Sequence, residues 1–269
     1  MNANIYRHEL HIRWKSVFTW SVALVFLIVF FFSIFPAFAK DADLLNQMLT
    51  KFPPEMKTAF GLDNMDMATV LGFFSLIFLF VQLCLAIQAG NYGFGLVSVE
   101  EAELTADFLL TRPVSRWQIL TSKLLAVLTS MLVTDLAVWV SALAAITLFR
   151  DGRAYEFSTL LLLLVSILPF QLFFLCVGLV ISLGVKRIRS VTPYSLGFGF
   201  GAYVLSAFSG VFGEAWLELI TPFKHFDAAA IVSNQSFDTP LAVLNVAVSL
   251  VAVAASYWLY KRRDIHAVS

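Results

Sequence analysis

Long runs of apolar residues, separated by shorter polar segments, dominate this sequence. A helix needs about 20 apolar residues to cross the roughly 30 Å hydrocarbon core of a bilayer. Six runs reach this length, at about 17–39, 68–89, 124–148, 160–183, 193–212 and 241–260. The pattern predicts an all-α polytopic membrane protein with six transmembrane helices. No break in composition divides the chain, so we expect one transmembrane domain over 1–269.

An amphipathic segment at residues 5–16 precedes the first run. Tyr6, Leu10 and Trp14 fall at helical spacing on one face, and ionisable side chains project elsewhere. The pattern predicts an elbow helix lying on the inner leaflet before the first span. A simple extension of that span is the alternative. The elbow is favoured because Glu9, Arg13 and the other ionisable residues here are hard to bury.

The net charge of zero conceals a strong asymmetry between the two sides of the predicted bundle. The loops at 1–16, 90–123, 184–192 and 261–269 hold 12 of the 18 Lys and Arg residues and carry a net charge of +6. The opposite loops carry −5. Since basic loops remain in the cytoplasm, both termini are expected there.

Composition excludes several classes of function. The chain is 59% hydrophobic and 13% charged, unlike a soluble enzyme. Balanced basic and acidic residues leave no excess for neutralising phosphates, so nucleic acid is not an expected partner. The sequence lacks the G-x-x-x-x-G-K-[ST] phosphate loop. Its four histidines are scattered, so neither a catalytic site nor a metal site is predicted.

The segment at 99–125 has the clearest local pattern. Three acidic residues, Glu100, Glu101 and Glu103, suit the positive end of a helix dipole. An apolar face follows, and Pro113 ends it. Ser115 and Gln118 match a capping box that begins another helix. We therefore expect a short helix at about 100–111, parallel to the membrane, followed by a turn and the third span.

This segment resembles the loop between the second and third spans in permease subunits of ATP-binding-cassette transporters of the type-2 export family. The resemblance rests on the acidic start, on Thr105, and on three runs. These runs are Phe108-Leu109-Leu110, Arg112-Pro113-Val114-Ser115-Arg116 and Lys123-Leu124-Leu125. Residues 219–227 and 257–265 are also similar to family segments. Many members carry glycine where this chain has Leu104.

The resemblance implies that 100–111 is a coupling helix docking into a groove of a separate ATPase subunit. ATP and Mg would bind to that partner, with no cofactor on this chain. A second permease copy, identical or related, would complete the pathway in a prokaryotic cell membrane. The implied ATPase-coupling residues are Glu100, Glu101, Glu103, Leu104, Thr105, Phe108, Leu109, Arg112 and Arg116.

Polar residues inside the spans are candidates for a translocation pathway. Asp135 lies near the middle of the third span, where an isolated carboxylate costs about 2.5–3.5 kcal/mol. Gln82 and Gln171 could face it or line the pathway. A structural hydrogen bond between helices is the alternative role. Asp135 also leaves open a proton-coupled secondary transporter. A lipid-modifying membrane enzyme is less well supported, because clustered catalytic groups are not evident.

Two further sets of residues are candidates. Small residues in the fifth span would permit close helix approach, within one protomer or against a second copy. They are Gly197, Gly201, Ser206 and Gly210. In the family that the chain resembles, the fifth span often lies near the dimer interface. Short re-entrant helices in the last outer loop close the pathway in related permeases, so Pro222, His225 and Asp227 are candidate outer-gate residues.

Overall fold

The computed structural model describes residues 1–40, 51–53, 57, 66–102, 114–185, 188–212 and 215–262, with only the backbone described at 99–102, 210–212 and 215. These residues form an all-helical structure, as the sequence predicts. The long helices are α1 (Ala3–Ser33), α3 (Val70–Ala102), α4 (Arg116–Phe149), α5 (Phe157–Gly184), α6 (Val191–Phe212) and α10 (Thr239–Arg262). The short ones are α2 (Phe35–Lys40), α7 (Ala215–Ile220), α8 (Pro222–His225) and α9 (Ala228–Asn234).

Five described helical segments are long and apolar enough to cross a membrane. They are α1 with α2, most of α3, and all of α4, α5 and α10. Helix α6 has 22 residues, the length of a span. It is not among those five segments. The predicted number of six is therefore approximate.

The N-terminal segment is helical, but it is continuous with the first span. Helix α1 runs unbroken from Ala3 to Ser33, all of which the structure describes, so residues 5–16 form its first turns. Glu9 can be buried in this helix because its carboxylate pairs with Arg13 and Lys123. The helix ends near Ile34, since Pro36 has no backbone N–H to continue the hydrogen-bond ladder.

Helix α3 extends well beyond the predicted end of the second span at residue 89. It runs to Ala102, so residues 100–102, where the coupling helix was expected to begin, are its last residues. Packing holds this glycine-containing stretch helical. A Cβ atom on Gly93 would lie 2.3 Å from the Leu175 carbonyl oxygen, so α3 and α5 cross at very close range. Tertiary contact here overrides the low helix propensity of glycine.

Helices α3 and α5 form the centre of the bundle. Helix α1 packs on α3 and α4, while α6 packs on α3 and α10 packs on α5. A buried aromatic core fills the α3–α5 region and includes Phe74, Phe78, Phe170 and Phe174. These ring contacts are offset or edge-to-face, for example 5.2 Å between the Phe170 and Phe174 ring centroids.

At one end of the bundle, Arg153, which follows α4, connects two other parts of the chain. Its guanidinium donates to the carbonyl oxygens of Ala39 at 2.6 Å and Ala68 at 3.2 Å. This single side chain links the end of α2 to the residues preceding α3. The other end contains the start of α1, the start of α4 and the end of α10.

Candidate functional site

Three charged side chains meet inside the protein where α1, α3 and α4 come together. The Lys123 ammonium is 1% exposed and lies 3.2 Å from a Glu9 carboxylate oxygen. It also donates to the Leu96 carbonyl oxygen of α3 at 2.9 Å. Arg13 pairs with the other oxygen of the Glu9 carboxylate. We call Glu9, Arg13 and Lys123 the ion triad; it ties the start of α1 to the end of α3 and the start of α4.

Neutral hydrogen bonds reinforce the junction between α1 and α4. The backbone N–H of Asn2 donates to the Ser122 hydroxyl at 2.7 Å. The Tyr6 and Thr129 hydroxyls lie 2.9 Å apart. Helix α1 therefore contacts the first turns of α4 through both charged and neutral groups, at the end where the α3–α4 connection leaves the bundle.

The beginning of α4 is built as the sequence predicts. Ser115 and Gln118 form a complete capping box. Arg116, a predicted coupling residue, donates to the Tyr260 carbonyl oxygen at 3.1 Å and to that of Lys261 at 3.3 Å. It thus satisfies carbonyl groups at the C-terminal end of α10. Helix α4 is held on one side by α1 and on the other by α10.

The remaining predicted coupling residues fall largely outside the described part of the chain. Glu100 and Glu101 lie on the last turn of α3, where only the backbone is described. The other six predicted residues lie outside the described residues: Glu103, Leu104, Thr105, Phe108, Leu109 and Arg112. The structure gives the two ends between which this connection runs, at Ala102 and Val114.

Asp135 and Gln171 face each other across α4 and α5. Asp135 is 5% exposed, Gln171 is fully buried, and the amide interacts with the carboxyl group. Among the residues that the structure describes, neither carboxyl oxygen of Asp135 and neither end of the Gln171 amide has a hydrogen-bond partner of normal geometry. Unpartnered polar groups in an apolar interior are costly, so these side chains form a polar site inside the protomer.

Gln82 lies elsewhere and has a definite partner. Its side-chain amide donates to the Phe226 carbonyl oxygen at 2.8 Å, in a fully buried position. Gln82 is 12 residues from the start of α3, or about 18 Å along a helix. The segment joining α8 to α9 therefore reaches deep along α3, as expected of a re-entrant segment. Phe223 beside it packs on Phe170, with ring centroids 5.0 Å apart.

His225 is the best-connected of the predicted outer-gate residues. Its Nε2 lies 3.1 Å from the Leu219 carbonyl oxygen, and its Nδ1 lies 3.2 Å from the Asn245 amide nitrogen of α10. Both contacts are satisfied by a neutral ring that donates from Nε2 and accepts at Nδ1. Burial lowers the pKa of His225 below its ordinary value, because water no longer solvates the charged form.

The other two candidates lie beside His225. Asp227 caps α9 by accepting from the N–H groups of Ala229 and Ala230, and it pairs with Lys224 at 3.0 Å. Pro222 is buried at the start of α8. A cavity of about 160 Å³ opens here, and its lining includes Lys224, His225, Asp227 and Asp238. Among the described residues, no group of three or more His, Cys, Asp or Glu side chains could hold a metal ion.

The predicted small residues of α6 lie on two different faces. A Cβ atom on Gly197 or Gly201 would meet no atom of the described residues within 4 Å, so both face away from these residues. Gly199 instead faces α3, where a Cβ atom would lie 2.9 Å from Ile87. Ser206 is buried, because five residues of helix rotate it about 140° from Gly201. Gly210 is described by its backbone only.

These helices and buried polar contacts define a multi-pass, all-α membrane protein with a polar junction at one end and short helices packed at the other. The family model described as ABC-2 family transporter protein matches residues 3–265. The chain therefore belongs to the ABC-2 transporter family, whose members are membrane components of ABC transporters. A search among curated proteins found no match.

The ion triad is the main structural feature that the sequence did not reveal. Glu9 and Lys123 are far apart in the chain, and no motif pairs them. The available signal was Lys123 itself, a charge immediately before the third apolar run. A lysine in that position needs a partner, but the sequence does not identify Glu9 as that partner.

Proposed function

We propose that this chain is the membrane-spanning subunit of an ABC exporter. Two copies form the substrate pathway, and each binds a separate ATPase subunit through the connection between α3 and α4. ATP and Mg belong to that ATPase, and this chain makes or breaks no bond. The observation that carries the proposal is the family match over nearly the whole chain.

The geometry around the α3–α4 connection supports this function. Both ends of the connection are anchored, since Lys123 contacts Glu9 of α1 and Leu96 of α3, while Arg116 contacts the end of α10. A displacement applied to the connection would therefore reach α1, α3, α4 and α10 together. ATPase closure on ATP binding would push these helices and change access to the pathway.

The opposite end of the bundle supports a gate. Helices α7, α8 and α9 pack against the long helices, and His225 links this segment to Asn245 of α10. Gln82 of α3 donates a hydrogen bond to the Phe226 carbonyl, between α8 and α9. Opening an outward pathway would therefore require α7, α8 and α9 to separate from α3 or to move with it. Pro222, His225 and Asp227 are therefore proposed as gate residues.

The outward face of α6 supports pairing with a second copy. Gly197 and Gly201 leave open space above the helix backbone, and no residue in the described part of the chain fills it. Small residues permit close approach of helices in a membrane, where packing rather than hydrophobic transfer drives association. We assign the interface between copies to this face.

Co-purification with the ATPase encoded beside this gene tests the proposed coupling. Replacing Glu101, Phe108 and Arg112 together by alanine should reduce recovery of the complex and its substrate-stimulated ATPase activity at least tenfold. The matched control changes Arg150 and Glu156, which lie at the opposite end of the bundle, to alanine. A stable complex with full ATPase coupling in the triple variant would show that the docking assignment is wrong.

A further inference from the structure

Aromatic and basic side chains meet on the surface where the start of α4 contacts the end of α10. The Trp117 ring lies against Tyr257, with centroids 4.1 Å apart. The Arg262 guanidinium lies 4.1 Å from the centre of the Trp258 ring. We call Arg116, Trp117, Trp258, Lys261 and Arg262 the basic–aromatic rim.

Three positive charges of the rim are held close together. Arg116 reaches the carbonyl oxygens of Tyr260 and Lys261, so its guanidinium lies within about one helical turn of Lys261 and Arg262. The N-terminus of α4 adds a partial positive charge, and the carbonyl end of α10 offsets part of the total. The positive charges of Lys261 and Arg262 would attract an anionic group beside the rim.

The aromatic rings indicate where that anionic group lies relative to the bilayer. Trp117 is 64% exposed and Trp258 is 54% exposed, each close to the end of a membrane-spanning helix. Tryptophan concentrates at this level because its ring is amphipathic. An arginine stacked on an aromatic face keeps the N–H groups at its edge directed outward, where they can meet phosphate oxygens.

We propose that the basic–aromatic rim binds the phosphate of an anionic phospholipid. A lipid is the expected source of this phosphate, because apolar side chains continue from the rim along both helices. Leu125 of α4 and Val251 of α10 are exposed about two helical turns further along their helices. The acyl chains would lie along these residues while the headgroup contacts Lys261 and Arg262.

Quenching of tryptophan fluorescence by brominated lipids tests this site in the full-length protein. Dibrominated phosphatidylglycerol should quench at a lower mole fraction than dibrominated phosphatidylcholine. Each surface charge contributes about fivefold to anionic lipid affinity, so K261Q should weaken this preference about fivefold and K261Q/R262Q further. The W258F variant should lose the component of emission that phosphatidylglycerol quenches preferentially.

A matched control lies at the opposite end of α4. Arg150 is also an arginine beside an aromatic ring, 5.8 Å from the centre of Tyr155, so R150Q should keep the full preference for phosphatidylglycerol. Equal quenching by the two lipids would overturn the proposal. So would an unchanged preference in K261Q, or complete relief of quenching by inorganic phosphate at the same concentration, which would identify a soluble ligand instead.

Discussion

Lys123 has two kinds of partner inside the bundle. The Glu9 carboxylate supplies the opposite charge, and the Leu96 carbonyl supplies a second acceptor. Removing one member of a buried ion pair typically costs 3–5 kcal/mol, because the other charge remains buried without compensation. The Glu9 side chain of α1 is therefore expected to contribute strongly to the stability of the contact between α1 and α4.

We expect E9Q to unfold at a temperature several degrees lower than the unchanged protein in detergent. The amide keeps the shape of the side chain but removes the negative charge that lies 3.2 Å from the Lys123 ammonium. Thermal unfolding followed by size-exclusion chromatography measures the effect. E156Q is the matched control, since Glu156 is exposed and should tolerate the same change. Equal stability of the two variants would contradict the role assigned to the ion triad.

His225 provides a pH-dependent contribution to stability. Its pKa in the folded protein is lowered from the ordinary value of 6.5, mainly by burial. The contribution is therefore complete above pH 6.5 and is lost as the pH falls from 6.5 towards the lower pKa of the folded state. Asp238 opposes part of this shift by favouring the charged ring.

The H225Q variant should have a flatter stability profile below pH 6.5 than the unchanged protein. Glutamine can still donate to the Leu219 carbonyl oxygen, but it does not titrate. Unfolding temperatures measured from pH 5 to pH 8 provide the comparison. H11Q should retain the original profile, because His11 is exposed near the start of α1. An unchanged profile in H225Q would assign the acid sensitivity to other groups.

For single residues, the sequence predicted contacts between neighbours in the chain and missed contacts between residues far apart in the chain. The capping box at Ser115 was predictable because both partners lie within one turn. Gln82 stays a candidate pathway residue, but its hydrogen-bond partner, the Phe226 carbonyl, is far away in the chain and was not predicted. A backbone acceptor of that kind has no side-chain signature.

At the scale of elements, two glycines in long helices have opposite environments. Gly93 lies where α3 and α5 cross, and a Cβ atom there would lie 2.3 Å from a backbone oxygen. Gly201 lies on the open face of α6. Sequence alone gives both the same meaning, because glycine in a membrane helix permits close approach wherever a partner exists.

Substitution should separate the two roles. G93A should fail to accumulate as a folded protein, since backbone atoms of α5 would have to move to make room for one methyl group. G201L should fold normally, and chemical crosslinking in membranes should show fewer dimers than in the unchanged protein. Undiminished crosslinking of G201L would place the interface between copies on another face, while normal folding of G93A would contradict the close crossing.

Helix existence was easier to predict than helix ends. The cores of α4, α5 and α10 lie where the apolar runs predict them, because about 20 apolar residues have few other stable states in a bilayer. The starts and ends depended on packing. Helix α1 begins at Ala3, and the buried Glu9 of its first turns is paired with basic side chains. Helix α3 packs on α5 and remains helical past three glycines, at Gly90, Gly93 and Gly95.

At the scale of the whole molecule, charge predicts the orientation of the bundle. The end formed by the ion triad and the basic–aromatic rim lies on the side of the basic loops. We expect this side to face the cytoplasm. The distribution of lysine and arginine was readable from the sequence, whereas the way α7, α8 and α9 fill the opposite end depended on long-range aromatic contacts.

Cysteine labelling tests this orientation. After replacement of Cys84 and Cys176 by alanine, D151C should react with a membrane-impermeant maleimide in intact cells, and R7C should react only after lysis. Asp151 and Arg7 are both exposed, so reactivity depends on sidedness. The reverse pattern would invert the protein in the membrane and place the α3–α4 connection on the side without ATP.

The bridge made by Arg153 has a consequence for how the protein can acquire new parts. Arg153 binds the carbonyl oxygens of both Ala39 and Ala68, so it holds the two ends of the segment 40–67 close together. With the ends already close, lengthening the intervening chain costs little, since each doubling of a flexible loop adds only about 0.6 kcal/mol of closure entropy. An epitope or a whole folded domain inserted between residues 41 and 65 should therefore leave the bundle intact, on the side of the membrane opposite the ion triad.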